Sequence, residues 1–449
     1  MKRSHLFFAL TAAVLAVGTI SAEETKDKEG IRSITEERRE LLLYGIDDQV
    51  IAFISTLTEE KNEILAGEVF AAYKMTRNPR MKVEILKYFS EIDFSGAREE
   101  ALAIVDSFED QPSKLVSEAI RYLTRGTFEE LGERFVPLLD ATDQEVARMA
   151  IKGIGLSGIE TGAQKLLELL DDDDYPSNLK PEIILALGDL KNPAALPRLQ
   201  EILADEGENP VWRRYACASL GKIGDEAALP VIEKVLYDQD AMLRSYAVGS
   251  LQYFEGDRVV DLLIAALKDS FWRVRLSAAQ ALGTMQAVEA VPILIFKAEK
   301  DPEMNVRIEA VRALGAVADS ASLDALGRFY GQDLTPVGLR VISAELLAEK
   351  DLPNSLDLFK NVIERHWGKD TTRILERTAQ ILSRTESPLL EPFYARFLDS
   401  GDMVVMIYGM RGIAKNRVVS LKEAVEKLSG EGNHRSIRRE ALAALEQFE

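Results

Sequence analysis

One phrase, repeated, constrains this chain more than any other feature. The segments Val211-Trp212-Arg213 to Gly221, Trp272-Arg273-Val274-Arg275 to Gly283, and Val306-Arg307 to Gly315 align without gaps. They read roughly V-R-x-x-A-x-x-A-L-G. With the arginine as anchor, equivalent positions fall at Lys82, Val116, Ala147, Lys180, Arg213, Arg244, Arg275, Arg307, Arg340, Leu375, Met406 and Arg438, in steps of 31 to 35 residues. A period of that length signals one supersecondary unit stacked on the next. Three residues after the anchor, ten of the twelve copies carry a small residue or threonine, Ala216, Ala247, Ala278 and Ala310 among them. Seven residues after it, all twelve carry a large apolar residue, from Phe89 and Leu123 to Leu445. That 3-then-4 spacing puts both positions on one helical face. Alanine there admits a neighbouring backbone and leucine fills the remaining space, as close helix stacking needs.

A second helix is expected between successive anchors, as at 194–203, 227–236, 259–267 and 290–297, each apolar at helical spacing. Pro197, Pro230 and Pro292 each fall 17 residues after an anchor, in the first turn of that second helix, where a missing N–H costs little. Asp110, Asp174, Asp238, Asp269 and Asp301 each precede an anchor by six residues, where an aspartate can cap the coming helix. Their regular association with the anchor arginines predicts an interrepeat ladder of ion pairs, Arg275 with Asp269 for example, rather than a basic binding stripe. No strand pattern and no long linker follow residue 46. A helix over 36–44 and a less regular pair over 47–75 open the array, and a helix over 436–448 closes it.

These residues resemble HEAT repeats, of the variety called PBS-lyase HEAT-like repeats, over most of the chain. The first 60 residues and the copies at Leu375 and Met406 depart from the pattern. The resemblance implies an all-α fold: a right-handed α-solenoid, a superhelix of about twelve HEAT-like helix pairs. In it the V-R helices line the concave surface and the proline-bearing helices face outward. Layers roughly 10 Å apart would make a curved rod on the order of 120 Å long. The expected organisation is a signal peptide at 1–22, an N-terminal segment with one capping helix at 23–45, the repeat array at 46–430 and a C-terminal capping helix at 431–449.

Composition narrows the function. Acidic residues outnumber basic ones by 74 to 55, a net charge of −19, which opposes bulk attraction to nucleic acid or anionic lipid. Lys2 and Arg3 precede an uncharged run from Leu6 to Ile20 that ends at Ser21-Ala22-Glu23. Basic, apolar and small-residue regions in that order describe a secretory signal, and the run is short of the roughly 20 residues a membrane span needs. Cleavage after Ala22 would leave a mature chain of net charge −21, since Lys2 and Arg3 are the only charges removed. The expectation is an exported protein, periplasmic or secreted, with no stable membrane insertion after cleavage.

Catalytic motifs are missing. A single cysteine excludes an intrachain disulfide framework and a Cys-based zinc site. Only His366 and His434 lie beyond the signal, and neither belongs to a His-Glu or HExxH arrangement. The repeated His-Glu pairs of HEAT-like di-iron hydroxylases are absent, as are a phosphate-binding Gly-Lys loop and a GxSxG elbow. Cys217 reads as a small core residue. Asp171–Asp174 reads as a solvated loop, because proline stands where a calcium loop needs glycine. No catalytic residue, metal site or cofactor is expected.

On each anchor helix, offsets 1, 2, 5 and 9 should face the groove. Offset 2 gives Tyr215, Tyr246 and Ser277 in successive layers, and offset 9 gives Lys222, Tyr253 and Thr284. Offset 5 runs Arg121, Lys152, Leu185, Ala218, Gly249, Gln280 and Arg312, small in the middle with basic residues on either side. Tyrosine with small neighbours and arginine is the composition of a protein-binding hot spot. The expected partner-binding face therefore comprises Arg214, Tyr215, Tyr246, Tyr253, Gln280 and Arg312. The leading expectation is a non-catalytic scaffold that holds a protein or peptide, not nucleic acid, in the cell envelope. The alternative is a bilin-lyase-like carrier or enzyme with a small ligand in the same groove.

Overall fold

The structure, a computed structural model, describes residues 36–125, 131–158, 160–368 and 373–448. The expected signal peptide at 1–22 lies outside them. Among the described residues all regular structure is helical. The chain divides into two compact units, the first ending at Ala186 and the second beginning at Leu187.

Each unit is a stack of helix pairs. The layer at Arg213 shows how the sequence writes one. The Asn209 side chain accepts the Val211 N–H at 2.9 Å, Pro210 supplies the preset φ of a first helical residue, and the anchor helix runs Pro210–Ile223. Gly224, at φ 71°, ends it by turning left-handed and donating its N–H to Leu220. A 3-10 turn, Glu226–Ala228, leads into the second helix, Leu229–Val235, with Pro230 in its first turn. The same 3-10 entry precedes Leu196–Ala204 and Val291–Lys300. The helix 36–44 and the pair Asp47–Glu60 and Ala66–Met75 lie where the opening elements were expected, and Arg435–Leu445 lies at the other end.

Packing follows the 3-and-7 rule. Every residue three after an anchor is buried, including Ile85 and Ile183, which are not small. Every residue seven after is buried except Leu445, half-buried in the last helix. The glycine of the repeat, eight after the anchor, has its own reason. A Cβ on Gly221 would lie 2.6 Å from Ser250 Cβ and 2.9 Å from Ser250 Cα; one on Gly283 would lie 2.9 Å from Ala313 Cα. Neighbouring anchor helices approach backbone to backbone at these two glycines, so neither leaves room for a side chain.

The anchor arginines knit consecutive layers, but not as the sequence suggested. Arg275 binds Asp301 through two hydrogen bonds of 2.8 Å, Arg244 binds Asp269 through two of 2.9 Å, and Arg213 reaches Asp238 at 3.0 Å. The carboxylate partner is therefore the aspartate preceding the next anchor. Toward the aspartate of its own layer, each arginine donates only to the main chain: Arg244 to Asp238 O at 2.8 Å and Arg275 to Asp269 O at 3.0 Å. Nor do these aspartates cap the anchor helix. Asp269 accepts the N–H of Phe271 and Asp238 that of Asp240, inside the preceding turn, and the cap lies two residues later, at Asp240 in the Arg244 layer. Among the described residues Arg307 makes no such rung, donating instead to Ala298 O at 2.9 Å, and after Arg340 the rung changes chemistry. His366 stands 26 residues on, where Asp301 follows Arg275, and Arg340 meets both its ring nitrogen at 3.3 Å and Asp333 at 3.0 Å.

Candidate functional site

Along the anchor helices the outward positions carry a recurring motif of their own. In three layers, offsets 2 and 5 form an ion pair one helical turn apart: Glu84 with Lys87 at 3.1 Å, Glu118 with Arg121 at 3.2 Å, and Glu309 with Arg312 at 3.4 Å. The basic residues read from the sequence as flanks of the groove at Arg121 and Arg312 are thus already matched by a carboxylate. Glu118 is nearly buried, and burial pushes its carboxyl up despite Arg121 and Lys87.

The layers at Arg213, Arg244 and Arg275 carry no charge at either offset. Their offsets 2 and 5 are Tyr215 and Ala218, Tyr246 and Gly249, Ser277 and Gln280. The Tyr215 and Tyr246 rings lie 6.2 Å apart, centroid to centroid, tilted by 50°. Both are half-buried, so each holds one face against its layer and presents the other edge to solvent. Tyr253 follows on a 3-10 turn, Leu251–Tyr253, and is 46% exposed. Beside Tyr246 and Tyr253 lies an open depression of about 250 Å³, lined by Ala218, Lys222, Ser245, Tyr246, Gly249, Ser250, Gln252, Tyr253 and Ser277. Its floor is small because Ala218 and Gly249 are small, and its far wall is hydroxylic, where Ser245 and Ser277 meet at 3.0 Å.

The charged members of the expected face behave differently. Arg214 Nε is 2.8 Å from Asp240, which also caps the following anchor helix. Burial opposes ionisation of Asp240, yet Arg214 and the cap N–H groups hold its carboxyl below the ordinary value. Arg214 is thus part of the frame behind the tyrosines, while Lys222 is held by Asp189 at 2.5 Å. Gln280 is exposed at the edge of the patch. Sequence reasoning did not pick out Ser245 and Gln252 as lining residues. Ser245 stands at offset 1 and was within reach of the periodicity; Gln252 comes in only because the chain tightens to a 3-10 turn.

Cys217 is fully buried with Ser250 Oγ at 3.9 Å, and burial pushes its thiol up to about 12. It behaves as a core residue. Among the described residues no group of three or more His, Cys, Asp or Glu is placed to hold a metal ion. Among them, too, no helix is long and apolar enough to cross a membrane.

Stacked helix pairs, a repeated close-approach glycine and interlayer arginines define a HEAT-repeat α-solenoid. The chain belongs to the Spirochaete HEAT repeat protein family, which it matches over residues 42–444. In fold it is similar to yeast importin-β (Kap95p), at 14% identity and a TM-score of 0.51, over 92% of this chain and 67% of that one. It is also similar to the CpcE–CpcF complex of phycocyanin lyase from Nostoc sp. PCC7120, at 19% identity and a TM-score of 0.35, over 51% of this chain and 94% of that one. A third similar structure is Kap121p, at 12% identity and a TM-score of 0.42, over 94% of this chain and 54% of that one, so this chain spans about half of Kap121p. At such identities the likeness shows the fold alone. No curated protein matches the sequence.

Proposed function

We propose that this protein is a non-catalytic scaffold that holds a protein or peptide partner against Tyr215, Tyr246 and Tyr253. One observation carries the proposal: in these three consecutive layers offsets 2 and 5 hold no charge, only tyrosine, alanine, glycine, serine and glutamine, whereas each of the other nine layers carries at least one charged residue there. Paired charges keep a face hydrated and cost desolvation on binding, whereas tyrosines beside small residues offer contact area at low entropic cost. The bilin-lyase-like alternative, a small ligand in the same depression, finds about 250 Å³ of open volume there, below the 300–1,000 Å³ usual for enclosed ligand sites. Absorbance and mass spectra of the purified protein, showing no co-purified pigment or small molecule, are the expected outcome.

The proposal includes export: residues 1–22 act as a signal, the mature chain starts at Glu23, and the partner lies in the cell envelope or outside the cell. N-terminal sequencing of protein from fractionated cells tests this. A cytoplasmic protein still bearing residues 1–22 would end it. The binding face is tested by immobilising the wild type, a Tyr215→Ala with Tyr246→Ala variant, and a Glu233→Ala with Lys234→Ala variant on an outer helix. Glu233 there meets Arg258 in a surface pair, of the kind that contributes little to stability. Loss of envelope partners by the tyrosine variant alone supports the site; loss by the outer variant alone refutes it.

A further inference from the structure

At the outward end of the anchor helices, nine residues after the anchor, opposite charges of adjacent layers close into clasps. Glu91 meets Arg125 at 2.8 Å in the first unit, and Asp189 meets Lys222 at 2.5 Å in the second. The layers at Arg340 and Leu375 carry the same complement, Glu349 and Arg384, at the same offset, yet this clasp is open. Glu349 turns to its neighbour Lys350 at 2.7 Å, and Arg384 has no partner among the described residues. A depression of about 390 Å³ separates the two helices, Val337–Lys350 and Ile374–Arg384. One wall adds Glu345, and the other adds Arg377, whose side chain donates to Gln380 at 3.0 Å. The floor is apolar at Val341, Ala348 and Ile381.

From this geometry we infer a second binding site, independent of the tyrosine patch, for an extended peptide segment carrying an acidic and a basic side chain two residues apart. Two carboxylates on one wall and two guanidinium groups on the other make a fixed dipole across the groove. A ligand of one charge sign would satisfy one wall and be repelled by the other. Packed helices stand about 8–10 Å apart, and side chains two residues apart on an extended strand point the same way roughly 6.6 Å from each other. An acidic side chain can therefore meet Arg377 and Arg384 while the basic one meets Glu345 and Glu349. The residue between them turns away from the apolar floor, and the bidentate geometry of arginine favours a carboxylate on that side.

The probe is a fluorescein-labelled, end-blocked peptide of about a dozen residues repeating Glu-Gly-Lys-Gly, titrated by anisotropy against the full chain near physiological salt. Peptides repeating Glu-Gly, Lys-Gly and Gln-Gly are the controls. The alternating peptide is expected to bind at least about tenfold more tightly than each control. Single reversals, Arg384→Glu or Glu349→Lys, should weaken it about tenfold or more. Reversing both walls together, Glu345→Arg and Glu349→Arg with Arg377→Glu and Arg384→Glu, should restore it, since the alternating peptide reads the same from either end. All these side chains are exposed, so the variants should keep the wild-type circular dichroism and melting temperature. Three results would overturn the site: no binding at about 1 mM peptide, binding of a control as tight as the alternating peptide, or single reversals without effect. The Tyr215→Ala with Tyr246→Ala variant should bind the probe like wild type, which keeps failure here distinct from failure of the tyrosine site.

Discussion

Arg275 holds Asp301, not Asp269: its Nε and Nη2 each lie 2.8 Å from a different carboxylate oxygen of the aspartate preceding the next anchor. The pair is almost sealed from solvent, and Lys297 adds a third cation contact to Asp301 at 3.2 Å. Arg275 Nη1 turns back to the Asp269 and Ser270 carbonyls. One side chain therefore ties the turn before its own helix to the turn before the next.

Removing either end leaves a charge buried without its partner. Arg275→Ala and Asp301→Ala should each destabilise the protein by about 3 kcal/mol or more. Arg273→Ala, two residues away, loses a stacking contact with Trp272 on the surface and should cost well under half of that. Urea melts of the three variants decide the matter; equal midpoints for Arg273→Ala and Arg275→Ala would remove the rung from the stability of the fold.

The rungs also set the acid response. Burial opposes ionisation of Asp301, but the hydrogen bonds from Arg275, the Glu303 N–H and Lys297 outweigh it and hold the carboxyl below the ordinary range. Asp269 is lowered in the same way, chiefly through Arg244. A carboxyl lowered on folding stabilises the protein above its unfolded value, about 3.9, and loses that contribution as pH falls through the lower folded value. Stability measured from pH 7 to pH 3 should therefore drop at the acid end. An Arg275→Met variant, lacking one rung, should show a smaller drop.

Glycine substitutions separate close approach from helix propensity. Gly221→Ala drives a methyl into the Ser250 backbone and should cost about 1–3 kcal/mol. Gly249 also sits within a helix, yet a Cβ there meets nothing within 4 Å. Gly249→Ala should be neutral or stabilise by up to about 1 kcal/mol. Thermal melts giving both variants the same sign of change would contradict the packing described at offset 8.

For the tyrosine patch, calorimetry with a captured partner should show the Tyr215→Ala with Tyr246→Ala variant weaker by about 2 kcal/mol or more, with helicity unchanged. Glu233→Ala with Lys234→Ala should leave the affinity as it was. Weakening by the outer pair alone would place the binding surface on the other helices.

The helix pairs, their period and their buried face were all legible in the repeat. Anchor, small residue and large residue recur at fixed offsets, and one helical period then decides which side is covered. The sequence also picked out Tyr215 and Tyr246, because facing is a property of a single helix, whereas Tyr253 owes its exposure to the 3-10 turn that follows one. Which groups meet across layers depends on how the helices stack. Asp269 and Asp301 both lie within one repeat of Arg275, and sequence proximity favours the first; the spacing of the stacked helices delivers the second. The repeat's glycine was visible as a letter, but its reason appeared only where Gly221 meets Ser250. Arg121 and Arg312 read as free basic flanks until the glutamates one turn away were seen bound to them. Glu349 and Arg384 were two unremarked surface charges, and only packing shows a clasp left open. A periodic pattern fixes where a side chain points, and the distance between neighbouring backbones fixes what it can reach.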